Sequence, residues 1–309
     1  RAKYLSLREV IDIAKKRSYD AKSARFRFVA DYWSFRSFKA ELLPSVNLSG
    51  SLLNFDHSKV ETRNADNGLI NYVDNNSLTN SLTLSVDQQL SGLGGTVSLQ
   101  SYLYRLDQFN YDMTTYNSQP LRITYTQPLR SYNSLKWRKK TAPVEYKIAQ
   151  REYLEDMERV TVKATQLYFD VVSAQTDYKQ SVKNYADLQK LYEMAQKRFS
   201  LGTITKSDIL QLELSVLNAK LAVTNGKLNL DNQLFYLFSY LRLSDYEGVE
   251  LAVPDQIPDM VINVNDAVAY ALANSSHVTT QNLTTLKAQQ AVAQAHSQKG
   301  IQVQLRSEL

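Results

Sequence analysis

The stretch VTVKATQLYFDVVSAQTDYKQSVKNYADLQKLYEMAQKRF, Val160–Phe199, decides the fold. In it Val160, Ala164, Leu167, Val171, Ala174, Tyr178, Ser181, Tyr185, Leu188, Tyr192, Ala195 and Phe199 follow at alternating steps of four and three, and only Ser181 is polar. An apolar line that repeats every 3.5 residues keeps one face of an α-helix against a neighbour and winds the pair left-handed. Val160, Leu167, Val171, Tyr178, Tyr185, Leu188, Tyr192 and Phe199 are therefore the candidate helix–helix seam. The helical pattern reaches back towards Ser131, with Pro143 suited to a first turn. From Pro143 to Ser200 such a helix runs about 86 Å at ~1.5 Å per residue. A compact globule of 309 residues does not house a rod of that length.

Beyond the rod, Ser200–Ile204 holds Gly202 and reads as a tight turn. A second helix is expected from about Thr205 to Leu243, capped by Thr205 or Ser207, with Asp208 in its first turn. It carries two apolar stripes. One is Leu210, Leu214, Leu217, Leu221, Leu228, Phe235 and Phe238; the other is Leu212, Val216, Ala219, Val223, Leu230 and Leu237. Two stripes suit a helix lying between two neighbours, in a ring or in a bundle. At the chain start, Ser6 and Glu9 form a capping box for a helix over 6–43, which Pro44 ends.

Between these helical regions the period drops from 3.6 to 2. Val46, Leu48, Gly50 and Leu52 alternate with polar residues, as do Leu82, Leu84 and Val86, then Val97, Leu99 and Leu103, then Leu121, Ile123 and Tyr125. These are four strands, each with one apolar and one polar face. The stretches Asp56–Asn76 and Asp107–Ser118 read as long loops, and Ser91–Gly95 as a short turn. Tyr72, Tyr102, Tyr104, Phe109, Tyr111, Tyr116 and Tyr125 cluster around the strands, as an aromatic girdle at a lipid interface would. After a linker with Pro254 and Pro258 the opening pattern returns at a shift of 257 residues: Ala14 meets Ala271, Ser18 meets Ser275, Val46 meets Val303 and Leu48 meets Leu305. This reads as the start of a second structural repeat. Two full repeats would need roughly 200 residues more, so a second long hairpin is expected beyond Leu309.

Composition narrows the function. The chain has 36 Lys+Arg against 31 Asp+Glu, an excess too small for the basic stripe of a nucleic-acid binder. It has no cysteine, and its His57, His277 and His296 lie too far apart to form a metal motif. No phosphate-loop, dinucleotide or nucleophile-elbow motif occurs. An enzyme is not expected, nor any cofactor. No apolar run reaches the roughly 18–20 residues of a membrane-spanning helix, which leaves open a β-barrel.

Three stretches carry a family resemblance. LSLREVIDIA with AELLPSVNLSGS, ITYTQPL at 123–129 and RFSLGTITKSDILQLELSVLNA at 198–219 resemble the opening helix and barrel entry, the strand exit and the hairpin tip of the TolC-like outer membrane factors. The tip stretch is the most specific, with Arg198, Gly202, Asp208, Glu213 and Ala219 at matching spacings. The resemblance covers the whole chain. It implies an α+β membrane protein: β-barrel strands in the outer membrane of a Gram-negative bacterium, and long antiparallel helical hairpins forming a periplasmic tunnel in a homotrimer. Residues 1–44 would be the first tunnel helix, 45–130 the barrel strands and extracellular loops, and 131–243 the periplasmic hairpin. Residues 244–261 would be an equatorial linker and 262–309 the start of the second repeat.

The resemblance further implies an exit duct of a tripartite efflux pump or type I secretion system, partnered by a periplasmic adaptor and an inner-membrane transporter. The hairpin tip, with Arg198, Leu201, Gly202, Thr203 and Asp208, would dock the adaptor. Gly202 also has a local reason to be there, since a turn needs it. Asp208 has one as a helix-start carboxylate, besides a place in an aperture-closing network. The turn is further expected to leave backbone groups free for a partner. The family usually gives two strands per repeat where four are counted here, so either the barrel is larger or 80–104 forms an additional hairpin at its rim. A periplasmic adaptor with its own long hairpin is the rival reading. The restart of the opening helix argues against it, as the period-2 block argues against a soluble coiled-coil scaffold.

Overall fold

The computed structural model describes residues 3–63, 68–244, 248–253 and 260–309. The linker prolines Pro254 and Pro258, and the centre of the first expected loop at 64–67, lie outside them. The elements in order are β1 (Lys3–Leu5), α1 (Leu7–Arg17), α2 (Tyr19–Glu41), β2 (Ser45–Arg63), β3 (Ile70–Gln89), β4 (Thr96–Gln108), β5 (Met113–Pro128), α3 (Ser134–Ser200), α4 (Lys206–Leu241), β6 (Val249–Leu251), α5 (Val264–Asn274), α6 (Ser276–Ser297) and β7 (Gln304–Glu308). They divide into two compact units, Arg1–Ala30 with Ala149–Ser275, and Asp31–Ile148 with Ser276–Leu309.

The first unit is helical. Its core joins Val10 and Ala14 of α1 to Val160, Ala164, Tyr168 and Val171 of α3 and to Leu234, Leu237, Phe238 and Leu241 of α4. The expected single opening helix is two. Ser18 takes an extended backbone, ends α1 through its N–H to the Ala14 carbonyl, and accepts the Ala21 N–H on its side chain to start α2. A serine that caps both ways is enough to break a helix. The capping box of Ser6 and Glu9 forms as the sequence suggests, and its hydrogen bonds, the Ser6 backbone N–H first, hold the Glu9 carboxyl below its ordinary pKa.

Two strands escaped the sequence reading. β1 and β6 pair in parallel, Lys3 with Val249 through Leu5 with Leu251. Three residues are too few to show a period. Pro143 is also misplaced by sequence: α3 begins at Ser134, where the Asn133 side chain accepts the Lys136 N–H, and Pro143 lies inside the helix. α5 begins and ends 257 residues after α1, and α6 begins 257 residues after α2. The twins differ in burial, for Val10 and Ala14 are fully buried whereas no described residue of α5 is.

The second unit is built on a five-stranded sheet in the order β2-β3-β4-β5-β7, all antiparallel. The stretches expected as loops are mostly strand. β2 runs to Arg63 and β3 starts at Ile70, with Lys59 opposite Asp74 in an ion pair of 3.5 Å. The second expected loop shrinks to a turn between Gln108 and Met113. These segments are Asn- and Asp-rich because both of their faces are polar, which hides the period of 2 but not the ladder. β3 and β4 pair continuously from Gln89–Thr96 to Ser77–Gln108, so 80–104 sits inside the sheet rather than at its rim.

Candidate functional site

The α3–α4 hairpin buries the line read from sequence. Val160, Ala164, Val171, Ala174 and Ala195 are buried; Leu167, Tyr178, Ser181, Tyr185, Leu188 and Tyr192 are half-buried; Phe199 is 43% exposed. Between Thr176 and Phe199 every residue that is not exposed belongs to this line. Facing it, α4 presents Leu212, Val216, Ala219, Val223, Leu230 and Leu237, all buried or half-buried. Gly226 fills the gap in that row: a Cβ there would stand 3.5 Å from the Tyr178 Cα. Sequence reasoning passed over it because a glycine carries no apolar signal.

The other α4 stripe behaves differently. Leu210, Leu214, Leu217, Leu221, Leu228 and Phe235 are each more than half exposed. Phe238, grouped with them by spacing, is instead buried in the core at 1%.

At the hairpin tip Gly202 adopts φ +76°, a left-handed conformation that a side chain strains. The space around it is open, with nothing within 4 Å of a Cβ placed there. Arg198, Leu201, Thr203 and Asp208 are all exposed, Leu201 at 77%. Three N–H groups of the turn are already paired. The N–H groups of Leu201 and Thr203 go to the Arg198 carbonyl at 3.2 and 3.0 Å, and that of Gly202 goes to Phe199 at 2.9 Å. Thr205 is the cap. Its hydroxyl and N–H donate to Asp208 at 2.7 and 3.0 Å, which lowers the Asp208 pKa, the hydroxyl contributing most. The tip thus exposes side chains, Leu201 above all, beside three paired N–H groups.

The sheet has two chemically distinct faces. Opposed residues point the same way, so the register sorts them. On one face Val46 lies opposite Val86, Val86 opposite Leu99 and Leu99 opposite Ile123; Leu48 lies opposite Leu84, and Leu82 opposite Leu103. Leu48, Leu82, Leu84, Leu103 and Ile123 are exposed by 42–67%. From Val97 to Arg105 this band measures about 26 Å at ~3.3 Å per residue, close to the lipid-facing height of a membrane barrel. Tyr125 stands opposite Val97 at one end, and Tyr116 opposite Arg105 at the other. There Arg105 pairs with Asp107 at 3.0 Å. On the other face Ser49, Thr83, Tyr102 and Gln119 share a row, and so do Asn47, Ser85, Gln100 and Arg122. Tyr102 and Tyr104, expected in the girdle, stack on each other at 6.3 Å on this polar face. Their register, one residue off the leucines, excludes them from the apolar band.

Two α3 residues do work that sequence did not reveal. The Tyr168 hydroxyl, fully buried, donates to the carbonyls of Leu5 (3.3 Å) and Ala252. One helical heptad on, the Gln175 amide donates to the Leu251 carbonyl at 3.3 Å and accepts the Leu251 N–H at 3.2 Å. Together they clamp the β1–β6 ribbon onto α3. Burial raises the Tyr168 pKa, and the Glu9 charge adds to it.

No protein-family model matches the sequence, and no curated protein matches it. Solved structures do match. The CmeC outer membrane channel of Campylobacter jejuni is 14% identical over 98% of this chain and 60% of its own, with a TM-score of 0.61. The outer membrane protein VceC of Vibrio cholerae is 14% identical, covering 98% and 61%, also at 0.61. The MtrE outer membrane channel of Neisseria gonorrhoeae, in its open state, is 11% identical, covering 98% and 62%, at 0.58. The class is thus an α+β fold that couples an antiparallel sheet to long helical hairpins. More narrowly, it is the fold of the TolC-like outer membrane channels. The chain spans about 60% of the length of the first of these channels.

Proposed function

We propose that this chain is part of an outer-membrane channel subunit, a passive exit duct across the periplasm and outer membrane of a Gram-negative bacterium. The observation that carries the reading is the sheet with leucines and valines exposed on one face and hydroxyls and amides on the other. A soluble protein rarely leaves so large an apolar face in water. A lipid bilayer takes that face but tolerates no unpaired sheet edge, and β2 and β7 are both edges here. Further strands, from the rest of the chain or from neighbouring subunits, would remove the edges, and likeness to the channels favours a homotrimer.

The hairpin, which contains no helix apolar enough to span a membrane among the described residues, projects into water. Its tip at Leu201–Thr203 would then be the periplasmic end, where an adaptor docks and links the duct to an inner-membrane transporter of an efflux pump or type I secretion system. Cell fractionation tests the reading. A channel subunit stays with the outer membrane until detergent is added, and runs as an oligomer unless heated. Release by buffer alone would favour the adaptor reading. Crosslinks from Leu201→Cys or Thr203→Cys to an adaptor in whole cells would support the orientation, and labelling of those positions from outside the cell would reverse it.

A further inference from the structure

Resting on the channel reading, we propose that the helical end of the sheet carries a collar for anionic phospholipid headgroups, built from exposed aliphatic residues and the lysines of early α3. Four connections meet at this end, and each presents one large aliphatic side chain to solvent. Leu43 lies between α2 and β2, Leu93 between β3 and β4, Leu129 between β5 and α3, and Ile301 between α6 and β7. They are 63–78% exposed. The β3–β4 turn is pinned beside α3: the Asn133 amide donates to the Ser91 carbonyl and the Gln127 amide to the Leu93 carbonyl, both at 2.9 Å. These residues lie just beyond the last row of the apolar band, Val97 with Tyr125, so they extend the lipid-facing surface past the strand ends.

Beside them the charge is of one sign. The sequence has no acid between Asp112 and Glu145, while Arg130, Lys136, Arg138, Lys139 and Lys140 fall next to Leu129. Arg138 is taken by Glu41. Lys136, Lys139 and Lys140 are exposed and have no ion-pair partner among the described residues. The Lys140 ammonium lies 4.8 Å over the ring of Trp137, a residue type that favours the membrane–water interface. Helix stability does not call for these lysines, because positive charge at a helix start opposes the macrodipole; α1 and α4 open on Glu9 and Asp208 instead. From Lys136 to Lys140 the helix rises about 6 Å at ~1.5 Å per residue. A headgroup layer is about 5–8 Å deep on each side of the hydrocarbon core. Phosphate oxygens at that level would accept from the ammonium groups while the aliphatic side chains enter the acyl region. A zwitterionic headgroup carries its own cation and gains less than a net anionic one.

Trp137 is the probe. The full-length channel, with every other tryptophan replaced by phenylalanine, is reconstituted in bilayers containing brominated phosphatidylglycerol or brominated phosphatidylcholine. Quenching of Trp137 then gives the relative binding of the anionic and the zwitterionic lipid. The anionic lipid should be favoured about fivefold at low salt, as one cation near an anionic surface provides. The preference should fall to near one when Lys136→Gln, Lys139→Gln and Lys140→Gln are combined, and persist when the same three are changed to Arg. A ratio near one in the parent, or one that survives the Gln substitutions, overturns the collar. Leu84→Trp on the apolar face, in a Trp137→Phe background, reports on the channel reading itself. If it is quenched while Trp137 is not, the collar fails alone, as it would if acids of a neighbouring subunit covered these lysines. If neither lipid quenches it, the sheet does not meet lipid and the channel reading fails as well.

Discussion

The α3–α4 hairpin and the five-stranded sheet place the same residue types on opposite sides. In the hairpin the apolar line is turned inward, and everything beside it between Thr176 and Phe199 is exposed. In the sheet the apolar rows are the exposed ones, with Leu48 at 67% and Leu84 at 45%, while serines and threonines face one another across the strands. The hairpin can bury its seam with its own residues. The sheet cannot, so its stability depends on what surrounds it. On the channel reading the sheet's exposed face would meet lipid, whereas the exposed second stripe of α4, Leu210 to Phe235, would meet a neighbouring helix.

The largest effect should come from charging the hairpin seam. Val171→Asp places a carboxylate where no side-chain surface is exposed. It should cost several kcal/mol, as an unpaired buried charge does. Leu188→Asp, half-buried, should cost less, and Lys183→Asp, on the exposed side, very little. Thermal unfolding followed by circular dichroism ranks the three. Equal melting points would mean that the line is not a seam.

A matched pair on the sheet sharpens the contrast. Leu84→Arg should lower stability by about 2–4 kcal/mol if the position lies near the middle of the bilayer. Thr83→Arg, one residue away, should cost well under that. Folding into liposomes from urea measures both, and a reversed order would exchange the two faces. Next in size is the clamp. Tyr168→Phe removes the hydroxyl that donates to the Ala252 carbonyl, while the Leu5 carbonyl keeps the Ala252 N–H at 3.1 Å. It should cost about 1–3 kcal/mol, seen as faster amide exchange at β1 and β6 before any change at the tip.

The smallest effect is at the caps. Asp208 and Glu9 both titrate below their ordinary values because they accept hydrogen bonds at their helix starts. Their contribution is complete above the ordinary carboxylate pKa, about 4, and fades as the pH falls through the lowered values. Amide exchange at Thr205–Asp208 should therefore quicken only in acid. Asp208→Asn should remove most of that pH dependence.

These two regions also differ in how well sequence shows them. The seam was legible from Val160 to Phe199 because a buried line must stay apolar over its whole length. The strand cores were legible for the same reason, in a period of 2. Where β2 and β3 continue past Asn54 and Leu78, both faces turn polar, and ladder pairing leaves no mark on composition. The break at Ser18, the three-residue strands and the Tyr168–Gln175 clamp are single-residue or tertiary facts, invisible to any period. At the tip, the glycine and the cap could be read, but the closure of the turn's own hydrogen bonds could not.

The central claim, that one face of the sheet meets lipid and the other meets water, is tested most directly by spin labels at Leu48, Leu84 and Leu99 and at Ser49, Thr83 and Gln100 in a reconstituted membrane. Collision rates with oxygen and with a water-soluble nickel chelate are then compared. The first three should favour oxygen and the last three the chelate, alternating residue by residue along β2, β3 and β4. Equal access of the chelate to both sets would contradict the account.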